Sequence, residues 1–231
     1  MAAQGKEMKL LGSHKSPFSL RVEIAFNLKG LGYELLEETW EKSQLLLESN
    51  PIYKMIPVLI HDGQPICESM MIVEYIDEVW ARTNTSILPS DPYDRAMARF
   101  WAKYIDDKVP PSLRIIMGLL PGSEEEAVNQ ILTALQLLEK AFEKCGEGND
   151  FFGGETVGYV DIALGCYLGW FKAMEKMNGF TILDESKTPL LVGWANRFCS
   201  HDSVKGVMPE VEMLIEFNKK VRDKLNVAPA N

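Results

Sequence analysis

Ser16 and Pro17 stand where a short apolar run, Met8 to Gly12, gives way to a helical pattern, so the serine is placed to cap that helix and the proline to fill its first turn. Capping alone accounts for a serine there. The same hydroxyl lies at the tip of a first strand, where ligands collect in open α/β sheets. A small thiol of pKa ~8.5 is mostly protonated at neutral pH, and lowering that value by about two units takes roughly 2.7 kcal/mol. A hydroxyl donating to a charged sulfur supplies about 1.5–3 kcal/mol, and a helix N-terminus about 0.3–1 kcal/mol more. Ser16 therefore has the right size of effect to hold a thiolate, and Arg21 on the same helix adds positive potential. A hydrolytic triad with His14 is disfavoured, because no G-x-S-x-G elbow surrounds the serine.

Glu68-Ser69 forms a second candidate, at the end of a later strand and the start of its helix. A helix N-terminus with a hydroxyl suits a carboxylate and an adjacent acid suits an ammonium, so the pair fits the zwitterionic end of an amino acid or peptide. A simple capping pair explains the same residues equally well. Lys42 and Lys54 could hold a carboxylate at the other end of such a ligand, although surface lysines are usually just solvated. The cysteines, Cys67, Cys145, Cys166 and Cys199, form no C-x-x-C and read as reduced core or surface thiols. The histidines, His14, His61 and His201, form no ligand pair, so no metal is expected.

The elements that must position these residues follow from periodicity. Met8 to Gly12 is a strand, and Phe18, Val22, Ala25 and Phe26 mark one face of the helix after it. Lys29-Gly30 ends that helix, and Tyr33 to Glu37 is a strand that a right-handed crossover places parallel to the first. A polar helical piece, Glu41 to Glu48, ends at Asn50-Pro51. Pro57 to His61 and Gln64 to Cys67 flank Asp62-Gly63, a two-residue hairpin signal, and a helix from about Ser69 to Ala81 follows with Ile72, Ile76, Val79 and Trp80 at core spacing. The order βαβαββα is that of a thioredoxin-like domain. Residues 83–94, polar with two prolines, read as a linker. Beyond it the periods are all helical: Arg95 to Val109, Ser123 to Cys145 with a Ser123/Glu126 capping box, Tyr159 to Met177, Pro189 to Ser200 and Pro209 to Leu225. The chain is thus α+β with two domains, residues 1–82 and 95–231, the second all-helical.

With 231 residues, 46% hydrophobic and 25% charged, the composition is that of a globular chain able to bury a core. The net charge of −9 gives no general attraction to phosphate backbones or anionic lipid, so neither nucleic acid nor a membrane is an expected partner. The longest nearly apolar stretch, Ile162 to Phe171, is about half of the ~20 residues a membrane helix needs, and the first residues lack a hydrophobic signal core. A soluble, cytoplasmic protein is expected, and the sequon Asn84-Thr85-Ser86 should go unused.

Ser16-Pro17-Phe18 with Arg21, Lys42-Ser43, Asn50-Pro51, Ile56-Pro57-Val58-Leu59-Ile60-His61, Ile66-Cys67-Glu68-Ser69 and Glu74 to Glu78 together resemble a plant tau-class glutathione S-transferase. The likeness is dense through about residue 80 and continues in Gly158-Tyr159-Val160-Asp161-Ile162-Ala163. The resemblance implies that Ser16 hydrogen-bonds the glutathione sulfur and that Glu68 and Ser69 hold the γ-glutamyl end. It implies that Lys42 and Lys54 lie near the glycyl carboxylate, that the Ile56 backbone pairs with the cysteinyl unit beside a cis bond to Pro57, and that Asp161 caps a helix. For a hydrophobic electrophile it implies an apolar cleft between the domains built from Phe18, Arg114, Met117, Trp170 and Phe217, any of which could equally be helix core. Met55 stands where the family commonly has a second lysine, which implies weaker hold on the glycyl end, and Pro110-Pro111 replaces a region often aromatic.

The resemblance also implies a homodimer, with the helix near Ile72 to Trp80 meeting helix Arg95 to Val109 of the partner, and a place in detoxification and plant stress response. Glutathione is then a co-substrate, and no metal or redox cofactor is needed. The expected activity is conjugation of glutathione to hydrophobic electrophiles, with peroxidase activity alongside. A thiol reductase would need a cysteine at position 16. A non-catalytic carrier of apolar ligands is the alternative from another class.

Overall fold

The computed structural model describes residues 8–81, 86–146 and 148–225, apart from the side chains of residues 145 and 146. Asn84 and Thr85 of the sequon, and the side chain of Cys145, lie outside the described residues. The chain forms two compact units. The first runs to Ile87 and takes in residues 202–207, and the second holds the rest.

In the first unit the expected order is present: β1 (Met8–Gly12), α1 (Pro17–Lys29), β2 (Glu34–Glu37), α2 (Gln44–Ser49), β3 (Val58–His61), β4 (Gln64–Cys67) and α3 (Ser69–Val79). The four strands make one mixed sheet in the order β2-β1-β3-β4. β2 lies parallel to β1, as the crossover rule requires, while β3 runs antiparallel to both β1 and β4. The β3–β4 turn has positive φ at Asp62 (49°) and Gly63 (77°), the geometry that makes Asp-Gly a hairpin signal.

α1 departs from the one-faced helix its periodicity suggests. Arg21, Glu23 and Lys29 are buried along with Leu20, Val22, Ile24, Ala25 and Phe26. The sheet is not its only neighbour: α3 packs on it, and so does α9 (Asp202–Lys205), a one-turn helix unmarked by periodicity that returns from the far end of the chain. Asn27 Nδ2 donates to the Ser203 carbonyl at 3.0 Å. Buried charge demands partners, and Lys29 finds Asp77 of α3 at 2.7 Å. Asp77 in turn accepts from the Ile87 amide at 2.9 Å.

The regular elements of the second unit among the described residues are helices: α4 (Pro92–Ile116), α5 (Glu124–Gly146), α6 (Tyr159–Gly165), α7 (Leu168–Asn178), α8 (Pro189–Ser200) and α10 (Val211–Lys224). Three boundaries differ from expectation. α4 begins within the stretch read as linker, capped by Asp91, and runs through Pro110 and Pro111 instead of stopping at Val109. Each proline removes a backbone donor, at a cost of about 3 kcal/mol in an isolated helix interior. Packing overrides this, because Ala102, Ile105, Val109, Leu113 and Ile116 keep one buried stripe across both prolines. The apparent single helix from Tyr159 is two helices separated at Cys166 and Tyr167. There Gly165 sits so close to Phe198 that a Cβ would lie 2.2 Å from the ring. Finally, Pro209 precedes α10 and does not open it, since Glu210 is the residue at the helix boundary.

Candidate active site

Strand direction assembles the candidate residues of the first unit. Because β2 and β4 both run the same way as β1 and β3 runs against them, one edge of the sheet receives the C-terminal ends of three strands and the N-terminal end of the fourth. The register fixes this edge as the row Glu37, Gly12 and Leu11, Val58, Cys67. From it depart the loop to Ser16, the loop to Lys42, the approach through Lys54 and Ile56, and Glu68-Ser69. Leu11, Leu46 and Val58, with Leu36, Ile56 and Cys67 against them, form the apolar floor beneath.

Ser16 is the N-cap of α1, with φ −89° and ψ 119°, and is half-buried. Its Oγ accepts from the Ser19 amide at 3.4 Å, and its own amide donates to the Ser13 carbonyl at 2.9 Å. Capping and anion stabilisation are compatible here. The cap uses a lone pair of the oxygen, and the hydroxyl proton remains to be donated.

Arg21, expected to add positive potential near Ser16, has partners on α3 and in Phe18. Its side chain is fully buried, its guanidinium stands 5.2 Å from the centroid of the half-buried Phe18 ring, and Nη1 donates to Ser69 Oγ at 3.2 Å. It thereby ties α1 to the first residue of α3. Ser69, an acceptor toward Arg21, keeps its proton for another acceptor. Glu68 precedes it, exposed and with φ 70°, so its side chain is free of any capping bond to α3.

Lys54 is exposed and also has positive φ, 54°, and the Ile56–Pro57 bond is cis. The buried Asn50, read from sequence only as a break, organises this segment. Its Oδ1 accepts from the Tyr53 amide at 3.1 Å, its Nδ2 donates to the Met55 carbonyl at 3.0 Å, and its own carbonyl accepts from the Lys54 amide at 2.9 Å. Lys42 is exposed, next to Ser43, whose Oγ caps α2 through the Leu46 amide at 3.0 Å and donates to Glu38. Burial first, and Glu68 second, push the Cys67 thiol up, which keeps it protonated beside the site.

The other candidates belong to the second unit. Arg114 is exposed near the end of α4, and Met117 caps that helix, buried. Trp170 of α7 is buried and meets Phe217 of α10 edge-on, ring centroids 6.2 Å apart. Asp161 is fully buried at the start of α6 and accepts from the amides of Phe152, Gly153 and Gly158 and from Trp194 Nε1, all within 2.9 Å. It is a capping and bridging acid, as expected.

Models of the glutathione S-transferase N-terminal domain and of its C-terminal domain match residues 6–78 and 97–202. The chain belongs to the glutathione S-transferase family. It is 51% identical to glutathione S-transferase U17 of Arabidopsis thaliana, across 94% of this chain and 97% of that one. It is 50% identical to a probable glutathione S-transferase of Oryza sativa subsp. japonica, across 95% of each. Among solved structures, the tau-class glutathione S-transferase of mango, Mangifera indica, shares 53% identity and a TM-score of 0.88 over 93% of this chain and 98% of that one. A rice glutathione S-transferase solved in complex with glutathione shares 36% identity and a TM-score of 0.85 over 96% and 99%. This transferase is therefore a tau-class member, with the thioredoxin-like and helical domains of that class. No helix among its described residues is long and apolar enough to cross a membrane.

Proposed function

We propose that this transferase ionises the thiol of glutathione at Ser16 and delivers the thiolate to hydrophobic electrophiles. The observation that carries this is the capped, half-buried Ser16 hydroxyl at the N-terminus of α1, on the same sheet edge as Glu68-Ser69. On this reading Ser69 donates to the γ-glutamyl carboxylate, with the Arg21 contact holding its oxygen in place. Glu68 takes the ammonium. Lys42 and Lys54 attract the glycyl carboxylate, and the Ile56 backbone pairs with the cysteinyl unit. Glutathione is a co-substrate, and the step needs neither metal nor redox cofactor. Sulfur attacks the electrophilic carbon as the leaving group or the π electrons depart. With an organic peroxide the thiolate attacks oxygen, breaking the O–O bond and releasing the alcohol, and a second glutathione turns the resulting sulfenic acid into the disulfide and water. Phe18 in the first unit, and separately Arg114, Met117, Trp170 and Phe217 in the second, are the candidate residues for the electrophile.

The test is conjugation of glutathione to an aryl chloride by the wild type and Ser16→Ala. Loss of one hydrogen bond to a charged group, about 1.5–3 kcal/mol, lowers kcat by roughly ten- to a hundredfold and raises the bound thiol's pKa by one to two units. Equal inactivity of both proteins, with apolar dyes still bound, would establish a carrier instead.

The protein is further proposed to act in the cytoplasm as a homodimer. Ile72 and Ile76 are buried in their own unit, so the apolar groups α3 offers a second copy are the exposed Met71 and Val79, and those of α4 are Tyr93 and Phe100. Sedimentation should give twice the chain mass of 26.1 kDa, and a single peak at that mass would refute the dimer.

A further inference from the structure

The loop between β1 and α1, which ends in Ser16, is gripped by two carboxylates from different elements. Glu37, at the end of β2, accepts from Ser13 Oγ at 2.8 Å, from the His14 amide at 3.4 Å and from Lys15 Nζ at 3.2 Å. These contacts are open to solvent and correspondingly weak. Glu23 is different. It lies on α1 two turns beyond Ser16, its side chain is 1% exposed, and its Oε2 is 3.3 Å from Nδ1 of His14, whose side chain is 54% exposed. Oε2 also accepts from Tyr33 Oη at 3.0 Å, and Tyr33 is stacked on Phe26 with centroids 4.6 Å apart. Oε1 is buried with no hydrogen-bond partner.

A buried carboxylate with an unsatisfied oxygen opposes folding, so stability does not explain Glu23. What the carboxylate does hold is a solvent-facing histidine two residues before Ser16. Resting on the reading of Ser16 given above, we propose that Glu23 is a positioning residue: through His14 it fixes the loop that aims the Ser16 hydroxyl, and the hold depends on pH.

The charges facing Glu23 are His14 from the loop, Tyr33 from the approach to β2 and Glu37 from its end. Burial dominates and pushes the Glu23 carboxyl up, His14 and Tyr33 pull it down, and Glu37 adds a smaller upward push. Tyr33, driven far up by its own burial and by Glu23, stays a hydroxyl donor. As the solution is acidified, Glu23 therefore takes up a proton sooner than an ordinary glutamate, and its attraction for His14 is lost. The loop then loosens and Ser16 stabilises the thiolate less well.

The experiment titrates the ultraviolet absorbance of bound glutathione thiolate against pH for wild type, Glu23→Gln, Glu23→Met, His14→Gln and the double variant His14→Gln/Glu23→Gln. Thermal melts and kcat and KM accompany the titration. The expected result is a midpoint about half a unit higher in each variant. This corresponds to a roughly threefold lower thiolate fraction on the acid side and a similar fall in kcat. KM for glutathione should stay within about twofold. The double variant should shift no further than either single one, because both cut the same link. Glu23→Met should melt close to the wild-type temperature, since removing a buried carboxylate with an unpartnered oxygen offsets the loss of the acceptor for Tyr33 Oη.

Unchanged midpoints, or lower melting temperatures without a midpoint shift, would overturn the proposal. Should Glu23→Met fail to fold, the surface change His14→Gln carries the test alone. Ser16→Ala in the same titration separates the two readings. If it leaves the midpoint in place, the role given to Ser16 fails. If it moves the midpoint while the Glu23 and His14 variants do not, only the positioning role fails.

Discussion

Each unit of the molecule buries a helical carboxylate, Asp161 in the first turn of α6 and Glu23 in the middle of α1, and the two are treated in opposite ways. Asp161 in the second unit has both oxygens doubly occupied. Oδ1 accepts from the Phe152 amide and Trp194 Nε1, and Oδ2 from the amides of Gly153 and Gly158. These donors come from the loop before α6, from its N-cap residue and from α8, so one side chain pins three segments. Glu23 in the first unit has one oxygen shared by two donors and one with none, and one of the donors belongs to a solvent-facing histidine. A fully satisfied buried acid holds a fold together. A half-satisfied one tied to solvent leaves its surroundings responsive.

The sharpest way to break this contrast is Asp161→Ala. The change orphans three amides, one of them buried, and a buried indole N–H at once, and each buried unsatisfied donor costs about 1–3 kcal/mol. Relaxation and water will recover part of this, so a loss on the order of 4 kcal/mol is expected in denaturant unfolding, with Asp161→Asn losing less because its amide oxygen still accepts. If Asp161→Ala cost no more than Glu23→Met, satisfied and half-satisfied burial would be equivalent and the distinction would fall.

Much of the architecture was legible because local signals and global fold agree. The Asp62-Gly63 turn, the Ser16 cap and the Pro189 helix start each have one stable local solution. The candidate residues Ser16, Glu68 and Ser69 were legible for the same reason, being boundary residues. Periodicity was silent on what depends on distant chain. It missed α9 returning from residue 202 to cover α1, and it missed the burial of Arg21, Glu23 and Lys29. It stopped α4 at Pro110 because proline is costly locally, whereas Leu113 and Ile116 continue the core beyond it. Asn50 looked like a helix end because its three contacts with residues 53–55 depend on a loop conformation that no spacing encodes. The helix position of Arg21 was evident, but its reach to Ser69 was not, because it depends on how α1 and α3 pack.

A smaller effect sharpens the comparison by pH. Burial raises the Asp161 carboxyl from 3.8 to about 6, against the four hydrogen bonds that pull it down. A carboxyl whose folded pKa lies above its unfolded value binds its proton more tightly in the folded state. Its contribution to stability is therefore greatest below about pH 4, declines as pH rises to about 6, and is flat beyond. Glu23 acts in the same direction, whereas Asp184 and Glu212, held low by hydrogen bonds from Ser186 and Lys176, act oppositely. The informative quantity is thus the difference between wild type and Asp161→Asn, not either curve alone. Measured by denaturant unfolding across pH 4 to 6, wild type should lose stability relative to the variant by on the order of 2–3 kcal/mol. The same comparison with Glu23→Gln should give a slope of the same sign, because burial raises that carboxyl too. A relative gain for wild type across this window would mean that the four donors outweigh burial at Asp161, and a slope of opposite sign at Glu23 would mean that His14 and Tyr33 outweigh burial there.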